Sequence, residues 1–333
     1  MKVKKLLVVL AVAVSIFALP VVSHGAIPVK YSVVFPATGT QADGARLLGE
    51  IIGKVSEGRL VMEFYPSSQL GDKASTFEGL GMGTIEMTEC AATDLSAFND
   101  MWSVFSLPYL WKDGSQAIKT VMKDSVRKIL EADAEDNGFV IIAWTDMGSR
   151  SVLNTKRSVK TPEDLNGLKL RCMEDPVLAN SVNAMGAIGT PLAFSELYIA
   201  LQQGTVDGLD HTPSAIVANG LQELCKYFSL TEHFTIPDPV FVSKIWFDGL
   251  SKENQDALLE AGRQFTERWN SEVWPAATEE GLKIMKDNGV EVLEVDKALF
   301  SAKTQVIIDD FLKKASKGQK ALYEALIAAR DAQ

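Results

Sequence analysis

The stretch FSELYIALQQGTVDGLDHTP, residues 194–213, reads as a helix, a stop, a strand and a second helix start within a few turns of chain. Ser195 can cap a helix whose Leu197, Ala200 and Leu201 share one face, and Gly204 suits a left-handed stop just past its end. TVDGLD is short and β-compatible, and Thr212 with Pro213 reads as N-cap and first helical residue. His211 therefore sits where a strand gives way to a helix.

The same alternation recurs outward from this stretch. VKYSVVF (29–35) leads through PATGTQ into ARLLGEIIGKV, and RLVMEFY (59–65) leads to a helical segment ending near Gly81 or Gly83. TIEMTE (84–89) is another short strand, and FVIIAW (139–144) is apolar enough to be covered on both faces. GLKLRCM (167–173) precedes Asp175 and Pro176, a cap and first-turn proline. Strands feeding helices predict α/β lobes with parallel or mixed sheets. SKENQDALLEAGRQFTERWNSEVWPAATEEGLKIMKDNG (251–289) reads differently, as a long helix capped by Ser251, with Leu258, Ala261, Phe265 and Trp269 on one face. Pro275 should kink or interrupt it, and a helix of this length suits a brace between two lobes.

Composition limits the function. Lys2, Lys4 and Lys5 precede the apolar run LLVVLAVAVSIFAL, Pro20 and the small residues of VVSHGA. This is the pattern of a secretory signal peptide, residues 1–25, with a core too short to span a membrane comfortably. Removing its three lysines takes the formal charge of −10 to −13, which disfavours nucleic acid and anionic lipid as partners. No lipid insertion of the mature chain is expected. Cys90, Cys172 and Cys225 show no metal-knuckle spacing and read as buried hydrophobes, or as one disulfide with a free thiol. Only His211 and His233 survive export, so no metal site and no cofactor are expected.

Ligands of open α/β sheets sit beyond the carboxyl ends of the strands. Those ends deliver Thr38 and Gln41, then Glu89, then Asp146 and Arg150, then Arg171 and Met173, then Asp210, His211 and Thr212. In LKLRCM the alternation places Lys169 and Arg171 opposite Leu168, Leu170 and Cys172. Arg171 is then either a solvated edge residue or a desolvated fork for a carboxylate. Arg150 reads, on pattern alone, as a surface or hinge residue. Glu89 is a solvated strand end or a pocket group, and Trp246 is by default a core or interlobe aromatic. His211 as a general base lacks a nucleophile turn, and as a metal ligand it lacks companions. A neutral hydrogen-bonding group lining a polar pocket needs neither.

YPSSQLGD (65–72), FSLPYLWKD (105–113), GLKLRCMEDP (167–176) and PLAFSELYIALQQGTVDGLDHTP (191–213), in this order behind a signal peptide, resemble the solute-binding proteins of tripartite ATP-independent periplasmic (TRAP) transporters. The resemblance covers essentially the whole mature chain. It implies a two-lobe periplasmic binding fold (class II-like) with mixed sheets, a long bracing helix and an interlobe cleft that closes on its ligand. Lobe I would comprise 26–147 plus about 236–275, and lobe II 148–235 plus about 276–333.

The resemblance also implies roles. Arg171 matches the arginine that pairs with a ligand carboxylate, and Arg150 the second, assisting one. His211 falls where many members carry asparagine. Asp72, Glu89 and Thr38 lie in regions that contact the distal end of the ligand in some members. Met173, Phe194 and Trp246 complete the expected lining. The expectation is a periplasmic receptor, not an enzyme, that hands a small organic acid to membrane-embedded permease subunits. A sugar acid such as a uronate or aldonate suits the polar set; a keto or dicarboxylic acid, or an aromatic acid stacked on Trp246, is the alternative. An exported lyase or hydrolase using His211 is the rival class, and a receptor reporting to a membrane sensor is a third.

Overall fold

The computed structural model describes residues 25–333, so the signal-peptide reading falls outside the described residues except at its last position. Two mixed sheets organise the chain. The first has the order β2-β1-β3-β10-β4, built from β1 (Ile27–Ser32), β2 (Leu60–Tyr65), β3 (Met87–Glu89), β4 (Phe139–Thr145) and β10 (Asp238–Ser243). The second has the order β11-β9-β5-β8-β6-β7, from β5 (Ser149–Asn154), β6 (Lys169–Cys172), β7 (Ile188–Pro191), β8 (Gly208–His211), β9 (Tyr227–Thr235) and β11 (Glu291–Glu294). β10 runs antiparallel to both its neighbours, and β5 does the same between β9 and β8. The α/β class and the mixed sheets are as expected.

Each strand of β6, β8 and β4 forms for the reason its sequence gives. β4 is buried along its whole length, between the helices Asp124–Asp136 and Lys252–Arg268. The second of these helices comes so close that a Cβ on Gly262 would lie 1.9 Å from the carbonyl oxygen of Ile142. Gly204 takes φ +71° after the helix Leu197–Gln202, as a left-handed stop requires. Ser195 is not the cap of that helix. A 3₁₀ turn, Phe194–Glu196, begins one residue earlier, which puts Ser195 inside the turn, and no side chain caps either the turn or the helix that follows. Thr212 and Pro213 do open the helix Pro213–Ala218, and Asp175 caps Pro176–Ala184 by accepting from the N–H groups of Val177 and Leu178.

The chain passes between the sheets at 146–148, at 236–237 and through the long helical run. That run is interrupted earlier than Pro275. A π turn, Trp269–Val273, separates Lys252–Arg268 from Trp274–Asp287, and Pro275 sits in the first turn of the latter. A proline lacks the N–H the ladder needs, and the wider turn upstream absorbs the mismatch. Asn270 in this turn accepts from the N–H of Asp146 (2.6 Å) and donates to the carbonyl of Trp144 (2.9 Å), tying helix to crossing.

The last helix, Lys317–Asp331, does not join the second lobe as expected. It packs against Gly114–Val121 and Asp124–Asp136, because its stripe Leu322, Leu326 and Ala329 joins the apolar cluster around Trp102 and Phe105. All three cysteines are buried free thiols.

Candidate functional site

The carboxyl ends of β3, β6 and β8 and the first residues of β5 and β10 converge on one cavity of about 100 Å³. Arg171, Arg150, His211, Glu89, Met173 and Phe194 line it, with Lys73, Asp238, Gln41 and Thr212. Asp72 lines an adjoining chamber that shares Lys73, Arg171, Met173 and Phe194 with the first. Its carboxylate is occupied in capping the helix Lys73–Met82, accepting from Ser75 N and Oγ at 2.9 Å each. Thr38 is exposed and lines neither space. Trp246 also lies elsewhere, on the helix Lys244–Asp248, packed against the apolar cluster beneath the first sheet.

Arg171 is not a solvated edge residue. It is only 4 % exposed, and its Nε donates to the carbonyl of Leu192 at 2.8 Å. Among the described residues no acceptor engages either Nη, so the fork of the guanidinium is free toward the cavity. The guanidinium carbon lies 5.7 Å from the centre of the Phe194 ring, within cation–π range. Burial, and secondly the charge of Arg150, lowers Arg171 from 12.5 to about 10.

Arg150 is not a surface residue. It is the second residue of β5, and its side chain pairs through Nε with the Asp210 carboxylate while Nη2 donates to the Asp210 carbonyl at 2.7 Å. The pattern missed this because the partner strand, β8, is registered against β5 only in three dimensions. Burial alone would raise Asp210, yet Arg150 and then His233 outweigh it and hold the carboxyl below its ordinary range. His233 is fully buried, bonded through Nδ1 to Thr231 Oγ1 at 2.8 Å, and lowered to about 4 by burial.

His211 is partly buried, and its Nδ1 accepts from the backbone N–H of Thr212 at 2.9 Å. Burial, then Arg150, pushes it well below its ordinary value. It is thus a neutral imidazole with Nε2–H left to donate. No serine, threonine or cysteine side chain among the described residues is hydrogen-bonded to its ring, and no group of three or more metal-ligating side chains occurs among them.

The opposite wall carries carboxyls. Glu89 is hydrogen-bonded to Tyr31 Oη (2.9 Å) and Thr145 Oγ1 (2.7 Å) and is raised by burial, an effect those two bonds partly offset. Asp238 is raised well above its ordinary value, by burial first and by Glu89 second. Burial alone would lower Lys73, but the ion pair with Asp94 prevails and the ammonium is raised. Sequence pattern points to neither Lys73 nor Asp238. Lys73 follows the capping Asp72 and looks solvated in sequence, and Asp238 stands between Pro237 and Pro239, which signals a turn.

No helix among the described residues is long and apolar enough to cross a membrane. Residues 31–315 match the family of bacterial extracellular solute-binding proteins, family 7. The chain is 31 % identical to the C4-dicarboxylate-binding periplasmic protein of Rhodobacter capsulatus over 84 % of its own length and 82 % of that protein. Among solved structures it is similar to a TRAP solute-binding protein of Chromohalobacter salexigens with bound D-glucuronate, at 25 % identity and TM-score 0.85 over 92 % of this chain and all of that one. It is also similar to one from Bordetella whose bound density is assigned to pantoate, at 30 % identity and TM-score 0.84 over 92 % and 99 %.

Proposed function

Because the chain belongs to family 7 of the bacterial extracellular solute-binding proteins, the receptors of TRAP transporters, we propose that it captures a small hydroxylated monoacid, a uronate or aldonate by preference. The observation that carries this reading is the buried Arg171 with both Nη groups free toward the cavity. Two parallel N–H donors match a carboxylate, and a low-dielectric surrounding strengthens the pair. An analogue without the carboxylate leaves the guanidinium buried and unmatched, which is what gives selectivity. His211 Nε2–H and Thr212 sit on the same side and suit the oxygen next to the carboxylate.

The far wall argues for hydroxyls. Glu89 and Asp238 are hydrogen-bonding groups for neutral oxygens and would oppose a second carboxylate. This sets the chain apart from a dicarboxylate receptor, although one relative binds C4-dicarboxylates. An aromatic acid stacked on Trp246 has no support, since that ring is outside the cavity. The protein is a receptor, not an enzyme. In this reading the first 25 residues direct export and are removed, lobes meeting at 146–148 and 236–237 close over the acid, and the closed form docks on membrane permease subunits.

A thermal-shift series with D-glucuronate, D-galacturonate, D-gluconate and succinate tests the ligand class. At least one of the sugar acids raises the midpoint and succinate does not. Stabilisation by succinate alone overturns the reading. Small-angle scattering with the active acid should show a more compact particle, and equal radii reject closure.

A further inference from the structure

The geometry around Glu89 fixes a proton. Thr145 Oγ1 lies 2.7 Å from Glu89 Oε1 and 2.9 Å from the carbonyl oxygen of Asp238. A threonine hydroxyl has one hydrogen, and a backbone carbonyl can only accept. If Glu89 is ionised, one of these two close oxygen pairs holds no hydrogen, and two lone pairs face each other in a buried site. With a hydrogen on Oε1 the chain closes. Glu89 donates to Thr145, Thr145 donates to the Asp238 carbonyl, and Tyr31 Oη donates to Oε2 at 2.9 Å. Every contact then has a donor.

Charge balance in the cavity leads the same way. Of its cations, Arg150 is neutralised by Asp210 and Lys73 by Asp94. Arg171 is the remaining cation among the lining residues, and Glu89 and Asp238 are the remaining carboxyls. With both ionised the cavity is net negative before any anion enters. The groups around Glu89 are Tyr31 on β1, Cys90 beside it, Thr145 on β4, Asp238 on β10 and Lys73 on its helix. Arg150, Arg171 and His211 face it from the second sheet. The upward displacement of both carboxyls by burial agrees with this count.

We propose that Glu89 enters the ligand-binding state as a neutral carboxylic acid and that capture of the acid ligand is thereby linked to a proton. This rests on the reading of the cavity as an anion receptor. Raising the pH ionises the far wall, sets a negative charge against the ligand and releases it. Affinity for an anion is therefore highest at acid pH and falls by up to about tenfold per pH unit above the midpoint of this group.

Infrared difference spectra of the ligand-free protein, wild type minus Glu89→Gln, give the first test. A carboxylic-acid C=O band belonging to Glu89 is expected at low pH and fades as pH rises. Absence of that band across the stable pH range overturns the proposal. Glutamine suits the site, since its amide N–H can donate to Thr145 and its oxygen can accept from Tyr31. If that variant does not fold, Thr145→Val provides the second comparison, because loss of the acceptor shifts the same band and an unshifted spectrum counts against the chain of donors. Calorimetric titration with D-glucuronate gives the linkage. The wild-type Kd rises with pH, and Glu89→Gln flattens the slope whatever its affinity. A flat wild-type profile overturns the link. If D-glucuronate does not bind at all, the ligand reading fails while the infrared result still decides the proton.

Discussion

Replacing Arg171 by methionine should make the empty protein more stable and useless as a receptor. The guanidinium is 4 % exposed and meets one carbonyl, so the folded state holds a charge it does not pair. A drop from 12.5 to about 10 corresponds to roughly 3 kcal/mol against the charged form. For a base whose folded value is lowered, that cost is present at every pH below about 10 and disappears only above it. Methionine removes it, loses the bond to Leu192 (about 1 kcal/mol) and fills the space imperfectly. A net gain of about 1–2 kcal/mol, or about 2–4 °C in midpoint, is expected. Binding moves the other way. Losing one partner of a buried carboxylate pair costs about 3–5 kcal/mol, two to three decades or more in Kd. Scanning calorimetry of the empty variant and titration with the active acid read the two terms separately. Binding within tenfold of wild type, or a midpoint lowered by several degrees, refutes the assignment of Arg171 as a free fork.

Arg150→Met should do the opposite to stability, since it strands Asp210 at 3 % exposure; we expect about 3–5 kcal/mol lost in urea unfolding, largely recovered in the double variant with Asp210→Asn. No recovery would mean that the pair is not what Arg150 supplies. Gly262→Ala places a methyl 1.9 Å from the backbone oxygen of Ile142, which cannot step aside, so about 3 kcal/mol or more should be lost; an unchanged midpoint refutes the close approach. Asp146 at the first crossing is raised from 3.8 to about 6, mainly by burial. Its folded form resists ionisation, so the protein loses stability as pH rises from 3.8 to about 6, and Asp146→Asn should recover up to roughly 3 kcal/mol above that window and nothing below it. A gain that persists at pH 3 would point to packing as its source.

What is legible in the sequence, and what is not, follows from the range of the interactions. β6 is readable because alternation and the Asp175 cap are local, and burial of Arg171 then chooses between two readings that alternation leaves equal. β10 does not show in the pattern at all. Pro237 and Pro239 mark a turn, and a proline within a strand flanked on both sides argues against that strand. Here Pro239 is the second residue of β10, opposite Trp144, and its carbonyl accepts from Cys90 just past the last residue of β3, so its missing N–H falls beyond the end of that strand. With β10 hidden, Asp238 is hidden too, and with it half of the acidic wall. Thr38 rests on analogy of loop position, which says nothing about where a loop of altered length points, and Trp246 takes its default reading as a core aromatic.

The position of β10 also bears on how the polypeptide becomes a protein. It is the filler between β3 and β4, although nearly a hundred residues of other structure are synthesised between β4 and β10. The final helix in turn seals the half of the molecule that is made first. The half that is begun first is therefore finished last: it lacks its inner strand until Ser243 and its covering helix until Asp331.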